Sequence, residues 1–137
     1  MTYYRTLSLT SKSRCHWIDI TGSVQAALRE SGMKNGICIV SSLHTTAAIT
    51  INENADPDVE RDFFLQLERI APVDSGFAHA EGNSDSHCKT SLVGNSVTVA
   101  VHEAHLVLGT WQSIYFCEFD GPRQRTAAVS FVGESHA

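Results

Sequence analysis

The chain has 137 residues, 42% of them hydrophobic and 18% charged, with a net charge of −5 at neutral pH. A chain of this length buries roughly 70% of the surface its unfolded form would expose, so residues 1–137 are expected to form a single domain. The composition excludes a disordered chain, no apolar run approaches the ~20 residues a membrane helix needs, and the scattered basic residues form no cluster that could neutralise nucleic-acid phosphates.

The opening MTYYRTLSLTSKSR alternates polar and apolar residues. It has neither an apolar signal core nor an Arg-rich amphipathic helix, which points to a cytoplasmic protein. Cys15, Cys38, Cys88 and Cys117 stand singly, with no C-x-x-C pair, and three of them sit in apolar runs as small buried hydrophobes do. No disulfide is expected.

Period-two alternation predicts strands over 3–9 and 15–20, read as an antiparallel pair. A short helix follows, capped by Thr21 or Ser23, with Val24, Ala27 and Leu28 on one face and Gly32 ending it. The apolar runs 36–40 and 47–51 read as central strands covered on both faces. The strongest helix start is "DPDVERDFFLQLERIAP", with Asp56 at the N-cap, Pro57 in the first turn and a buried stripe of Val59, Phe63, Phe64, Leu67 and Ile70. Residues 72–82 read as one long connection, a length that in a small domain tends to carry function. Asn83 or Ser84 then caps a helix through Ser91. The remainder reads as strands over 96–101, 105–108, 113–119 and 125–132, with turns near Glu103 and at Asp120-Gly121-Pro122. The expected fold class is α+β: a mainly antiparallel β-sandwich with two or three helices packed outside.

Of seven histidines, His44, His79 and His87 fall in polar segments at element ends, where functional groups collect. Imidazoles so placed suit Zn²⁺ or a related ion and leave a coordination position open, although the spacing of His79 and His87 matches no standard motif. His16, His102, His105 and His136 read as surface or strand residues. Asp85 either orients a histidine or serves the helix dipole. Lys89, one turn on, either cancels that charge or meets a phosphate at the helix start. Glu118 shares a strand face with Ile114 and Phe116, where an apolar residue is expected. It is either a general base or the ion-pair partner of Arg123 or Arg125. Trp111, Gln112 and Asp120 flank the same strand, and Glu53 and Asn54 lie at another strand end without a capping duty.

Three segments carry a resemblance: "HTTAAITINENADPDV" (44–59), "HAEGNSDSHCKTSLVG" (79–94) and "LGTWQSIYFCEFDGPR" (108–123). In that order they resemble the YjbQ-like family, the so-called secondary thiamine-phosphate synthase family, over nearly the whole chain. The resemblance implies a β-sandwich assembled as a homotrimer. Its pattern falls on His44, His79, Asn83, Asp85, His87, Lys89, Trp111, Gln112, Glu118, Asp120 and Arg123. The departures are small, among them Ala78 and Ala80 around His79.

The activity linked to that family joins hydroxymethylpyrimidine diphosphate to a thiazole phosphate and releases pyrophosphate. The expectation is therefore a metal-dependent enzyme acting on a small phosphorylated metabolite. His44, His79 and His87 would hold a divalent metal, Zn²⁺ in preference to Mg²⁺ because the donors are nitrogen. Asn83, Asp85, Lys89, Trp111, Gln112 and Glu118 would serve the chemistry, with Trp111 facing a developing cation and Lys89 neutralising the leaving charge. The alternative is a noncatalytic trimeric module that binds a small anionic metabolite.

Overall fold

Every strand pairing in the computed structural model, which describes residues 1–73, 76–79 and 81–135, is antiparallel. Five strands form one sheet: β1 (Thr2–Thr10), β8 (Gln124–Glu134), β3 (Asn35–Ser42), β5 (Ser96–His102) and β6 (His105–Leu106), side by side in that order. A second sheet holds β2 (His16–Asp19), β7 (Gln112–Glu118) and β4 (Ala47–Glu53). The helices are α1 (Thr21–Ser31), α2 (Pro57–Ile70) and α3 (Ser84–Val93).

The alternation that predicts the strands also builds the core. Cys38, Val40, Val99, Ala127, Val129 and Phe131 from the larger sheet meet Ala47, Ile49, Ile114 and Phe116 from the smaller, and Val24, Ala27 and Leu28 of α1 join the same cluster. Side chains at odd and even positions of a strand point to opposite faces, so the smaller sheet presents a second apolar face. Its Ala48, Tyr115 and Cys117 pack under Leu67, Phe63 and Phe64 of α2 and Val93 of α3. The result is a β-sandwich with helices outside, as the sequence implies.

Several local expectations are corrected. Strands β1 and β2 do not pair: β1 runs beside β8 and β2 beside β7, in different sheets. Ser11 N–H donates to the Arg123 carbonyl at 2.9 Å and extends the β1–β8 ladder, after which the chain crosses to the other layer. Helix α1 has Ile20 at its N-cap and no side-chain cap. The Thr21 hydroxyl instead accepts from Ile114 N–H at 2.8 Å, tying the helix start to β7. Gly32 ends α1 in the left-handed conformation, with φ of 70°, that a residue without Cβ adopts freely. Asp56 caps α2 as expected, accepting from Asp58 N–H at 2.9 Å. Ile70, placed in the buried stripe of α2, is 58% exposed, because the helix ends there beyond the edge of the sheet it covers. Helix α3 continues past Ser91 to Val93, and Asn83 precedes it without capping. Cys15, Cys38, Cys88 and Cys117 are all free. Among the described residues no helix is long and apolar enough to cross a membrane. His136 lies outside the described residues.

Candidate functional site

The link from β3 to β4 carries His44. Its backbone is fixed by the Ser42 hydroxyl, which accepts from His44 N–H at 3.2 Å, and its ring by β8, where Thr126 N–H donates to Nε2 at 2.9 Å. His87 stands in the first turns of α3, its N–H donating to the Asn83 carbonyl at 3.3 Å. His79 lies in the connection before α3, its ring centroid 5.3 Å from that of His87 and nearly perpendicular to it.

His87 is the junction of three cavities. A polar one of about 470 Å³ is lined by His44, Thr45, His87, Thr90, Ser91 and Asn95. Another, about 340 Å³, is lined by His44, Thr45, Glu81, Asn83, His87 and Arg123. The third, about 560 Å³, is apolar, with Ile70, Pro72, Phe77, Cys88 and Leu92 beside His87. The arrangement can hold a ligand with an anionic part among His44, Thr90 and Arg123 and an apolar part beside Phe77.

The metal expectation can be tested against this geometry. Two imidazoles bound at about 2.05 Å on one tetrahedral ion have ring centroids about 5.2 Å apart, close to the His79–His87 separation of 5.3 Å. The separation alone also describes an edge-to-face ring contact without an ion, so it permits a shared ion on the pair without requiring one. His44 does not complete it here, since its Nε2 lone pair is taken by Thr126 N–H. Among the described residues no three His, Cys, Asp or Glu side chains gather closely enough for one ion.

The polar residues of α3 form a buried ion-pair network. Asp85 is fully buried and accepts from Arg14 at 2.9 Å and from Lys89 at 2.8 Å. Lys89, 2% exposed, also donates to Glu68 at 2.8 Å. Burial pushes the Asp85 pKa up, but hydrogen bonds from Arg14 and Lys89 outweigh it and hold the carboxyl below its usual range. Burial likewise works against the Lys89 ammonium, and Asp85 and Glu68 outweigh it and raise its pKa. Asn83 turns its amide away from the helix end and donates to Asp120 at 2.8 Å. Asp120 also accepts from the Arg123 guanidinium at 3.0 Å, which leaves Arg123 half exposed at the cavity rim.

Glu118 lies on the core face of β7 as its alternation predicts, and its partner is Arg125 of β8. Arg125 Nε donates to it at 2.8 Å, and the terminal nitrogen donates to its other oxygen and to Thr46 Oγ1. Burial raises the Glu118 pKa, and the Arg125 hydrogen bonds outweigh it and hold the group ionised. Of the two roles open for Glu118 in the sequence, the ion pair is the one formed.

Trp111 and Gln112 sit elsewhere. Gln112 and Glu118 begin and end β7, and six residue steps at ~3.3 Å put them roughly 20 Å apart. At that far end Asn54 N–H donates to the Trp111 carbonyl at 3.0 Å, and Gln112 Oε1 accepts from Gly109 N–H at 2.8 Å. Glu53 is the register partner of Gln112, so it belongs to the same end. Within one chain this group does not join the histidines.

Sequence reasoning passes over three participants, Thr90, Glu81 and Arg14, and names a fourth, Arg125, only as one of two partners open to Glu118. Thr90 follows His87 by three residues, the helical spacing that puts both on one face. Arg125 alternates with the core residues Ala127 and Val129, a visible signal that it points inward. Glu81, on the rim beside His44, and Arg14, crossing to Asp85, come from loops that carry no periodicity.

The chain matches a family model described as "UPF0047 protein YjbQ-like" over residues 5–134. It is 47% identical over 130 residues to the UPF0047 protein YugU of Bacillus subtilis, covering 94% of this chain and 98% of that one. It is 44% identical over 134 residues to a UPF0047 protein of Methanothermobacter thermautotrophicus, covering 96% and 93%. A crystal structure of an uncharacterized protein of the YjbQ/UPF0047 family from Clostridium acetobutylicum superposes with a TM-score of 0.92 at 47% identity, covering 93% of this chain and 99% of that one. A YbjQ-like protein of unknown function from Sulfolobus solfataricus gives a TM-score of 0.94 at 31% identity, covering 98% and 99%.

Proposed function

Since the chain belongs to the UPF0047 YjbQ-like family, we propose that it is an enzyme of the secondary thiamine-phosphate synthase type. It joins hydroxymethylpyrimidine diphosphate to thiazole phosphate and releases pyrophosphate, as its main reaction or as a side activity. One observation carries the reading: His44 and His87, on separate elements, line the same polar cavities, with Arg123 at the rim of one and an apolar cavity adjoining. A departing diphosphate gathers negative charge, which preorganised donors stabilise best where water is excluded. Arg123 and the imidazoles supply those donors, and the cavity beside Ile70, Phe77 and Leu92 suits the heteroaromatic ring.

A divalent ion, Zn²⁺ before Mg²⁺, belongs to this reading on the His79–His87 pair, with its remaining positions open to ligand oxygens. When bound, it supplies positive charge to the diphosphate. The protein works in the cytoplasm as a homotrimer, without nucleic-acid or membrane partners.

The test is product formation from the two phosphorylated substrates by the purified, metal-loaded protein beside His87→Ala. Turnover well above background that His87→Ala loses supports the proposal; equal background rates from both overturn it. Elemental analysis should find about one transition-metal ion per chain, lost in His79→Ala.

A second reading is the noncatalytic trimeric module that captures a small anionic metabolite. It is favoured by the commitment of Asp85, Lys89 and Glu118, three of the residues expected to serve the chemistry, to buried ion pairs. Calorimetry that detects binding of a phosphorylated ligand without any turnover selects it.

A further inference from the structure

His44 makes one contact whose chemistry admits a single assignment. A backbone N–H only donates, so the 2.9 Å contact from Thr126 N–H makes Nε2 of His44 an acceptor with a bare lone pair. Neutral imidazole carries one N–H, which must then sit on Nδ1. Protonating Nε2 would set N–H against N–H. Nδ1 itself has no hydrogen-bond partner among the described residues, while the ring lines both polar cavities.

A second, independent feature faces the same space. Thr90 is 7% exposed and lines the cavity with His44, and its hydroxyl has no hydrogen-bond partner among the described residues. A buried polar group without a partner is rare and marks a place where a ligand or water is received. Arg123, on the adjoining cavity, has a guanidinium committed on one edge to Asp120. Three groups able to donate thus border connected space, and the complementary partner is a group with only acceptors.

We infer that His44 is a neutral hydrogen-bond donor, which offers its Nδ1–H to a phosphoryl oxygen of the ligand, and is not a metal ligand. The inference rests on the reading of this pocket as a site for a phosphorylated metabolite. Burial lowers the His44 pKa, and the Arg125 cation lowers it further, which favours the uncharged ring. The ring is held in place before any ligand arrives: the Ser42 hydroxyl fixes the backbone and β8 fixes Nε2. A donor prepared in this way loses little freedom when an oxygen binds.

The experiment is ¹⁵N–¹H correlation spectroscopy of the histidine rings in the full chain at neutral pH. It is recorded on the protein alone, with Zn²⁺, and with pyrophosphate. Expected is the Nδ1–H tautomer for His44 in every sample, a shift of its Nδ1 resonance with pyrophosphate, and no Zn²⁺-induced change at either His44 nitrogen. An Nε2–H tautomer, a charged ring or direct Zn²⁺ ligation at His44 overturns the inference. So does a His44 Nδ1 resonance that stays silent when pyrophosphate binds. As a second measurement, His44→Asn keeps a donor near the Nδ1 position and should retain pyrophosphate affinity better than His44→Ala. The alanine variant should lose about tenfold or more, the weight of one hydrogen bond to a charged group. Equal affinities in wild type and alanine variant count against it. A missing synthase turnover would sink the proposed reaction while leaving the tautomer and the pyrophosphate response untouched, so the two failures are distinguishable.

Discussion

Glu118 and Arg125 form an ion pair sealed between the two sheets, with 0% and 2% of their side chains exposed. The pair closes the end of the inter-sheet core that lies nearest the histidines, and Arg125 reaches on to Thr46 in the link that carries His44. Removing one partner leaves a buried charge uncompensated, a loss of about 3–5 kcal/mol, whereas replacing both with apolar residues of similar volume is often neutral. Arg125→Met is therefore expected to lower stability by that amount in denaturant unfolding, and Glu118→Leu combined with Arg125→Met to recover most of it. If the single variant is as stable as the wild type, the pair contributes nothing to the fold.

The same carboxylates set an acid limit. Asp85 and Glu118 have native pKa values below their ordinary 3.8 and 4.5, so in that window the unfolded chain binds more protons than the native one. Stability then rises with pH across the window, is fully present above about 4.5, and is lost as pH falls through the lowered native values. The melting temperature should be flat from pH 7 to 5 and fall steeply below pH 4. Glu118→Gln, less stable at neutral pH, should show a shallower fall, and an equal slope in both proteins would remove Glu118 from the cause.

Much of this arrangement is legible in the chain. Period-two alternation, together with the apolar runs 36–40 and 47–51, predicts seven of the eight described strands closely, because one face of each must meet the apolar core. The same alternation shows Glu118 pointing inward and, followed through Ala127 and Val129, its partner Arg125. What alternation does not encode is layer: β1 and β2 are neighbours in sequence and lie in different sheets. Motif order is equally silent on distance. Trp111 and His44 share one family pattern, yet Trp111 stands at the far end of β7 from the histidines. Asn83 illustrates a third limit, since a local cap competes with Asp120, 37 residues on, and the distant partner wins.

Lys89 is a test of position against composition. Its ammonium is 2% exposed and bound by Asp85 and Glu68, so it is a structural cation of the α2–α3 contact. Lys89→Met should destabilise the fold by about 3 kcal/mol, the scale for an unpaired buried charge, since Asp85 keeps only Arg14. Calorimetry with pyrophosphate on the folded fraction should give an affinity within about twofold of wild type, a change under 0.5 kcal/mol. A tenfold loss there would return Lys89 to the anion site.

The outer face of the five-stranded sheet bears on assembly. Helices α2 and α3 cover the smaller sheet and α1 joins the core, so no described element lies over the outward residues of β1, β3 and β8. Ile37 and Val132 are register partners there, 42% and 47% exposed, and Tyr4 on the neighbouring strand is 62% exposed. Ile37, Val132 and Tyr4 form an exposed apolar cluster on a face otherwise rich in Ser and Thr, and exposed apolar clusters are where partners dock; the homotrimer proposed above is tested there. Sedimentation equilibrium should give three chains of 15.0 kDa for the wild type. Val132→Glu, which sets a carboxylate against the partner's apolar face, should give folded single chains. The variant stays folded because the position is already open to water in the monomer. A wild type that sediments as one chain at micromolar concentration removes the trimer, and a Val132→Glu protein that remains trimeric moves the interface to another face.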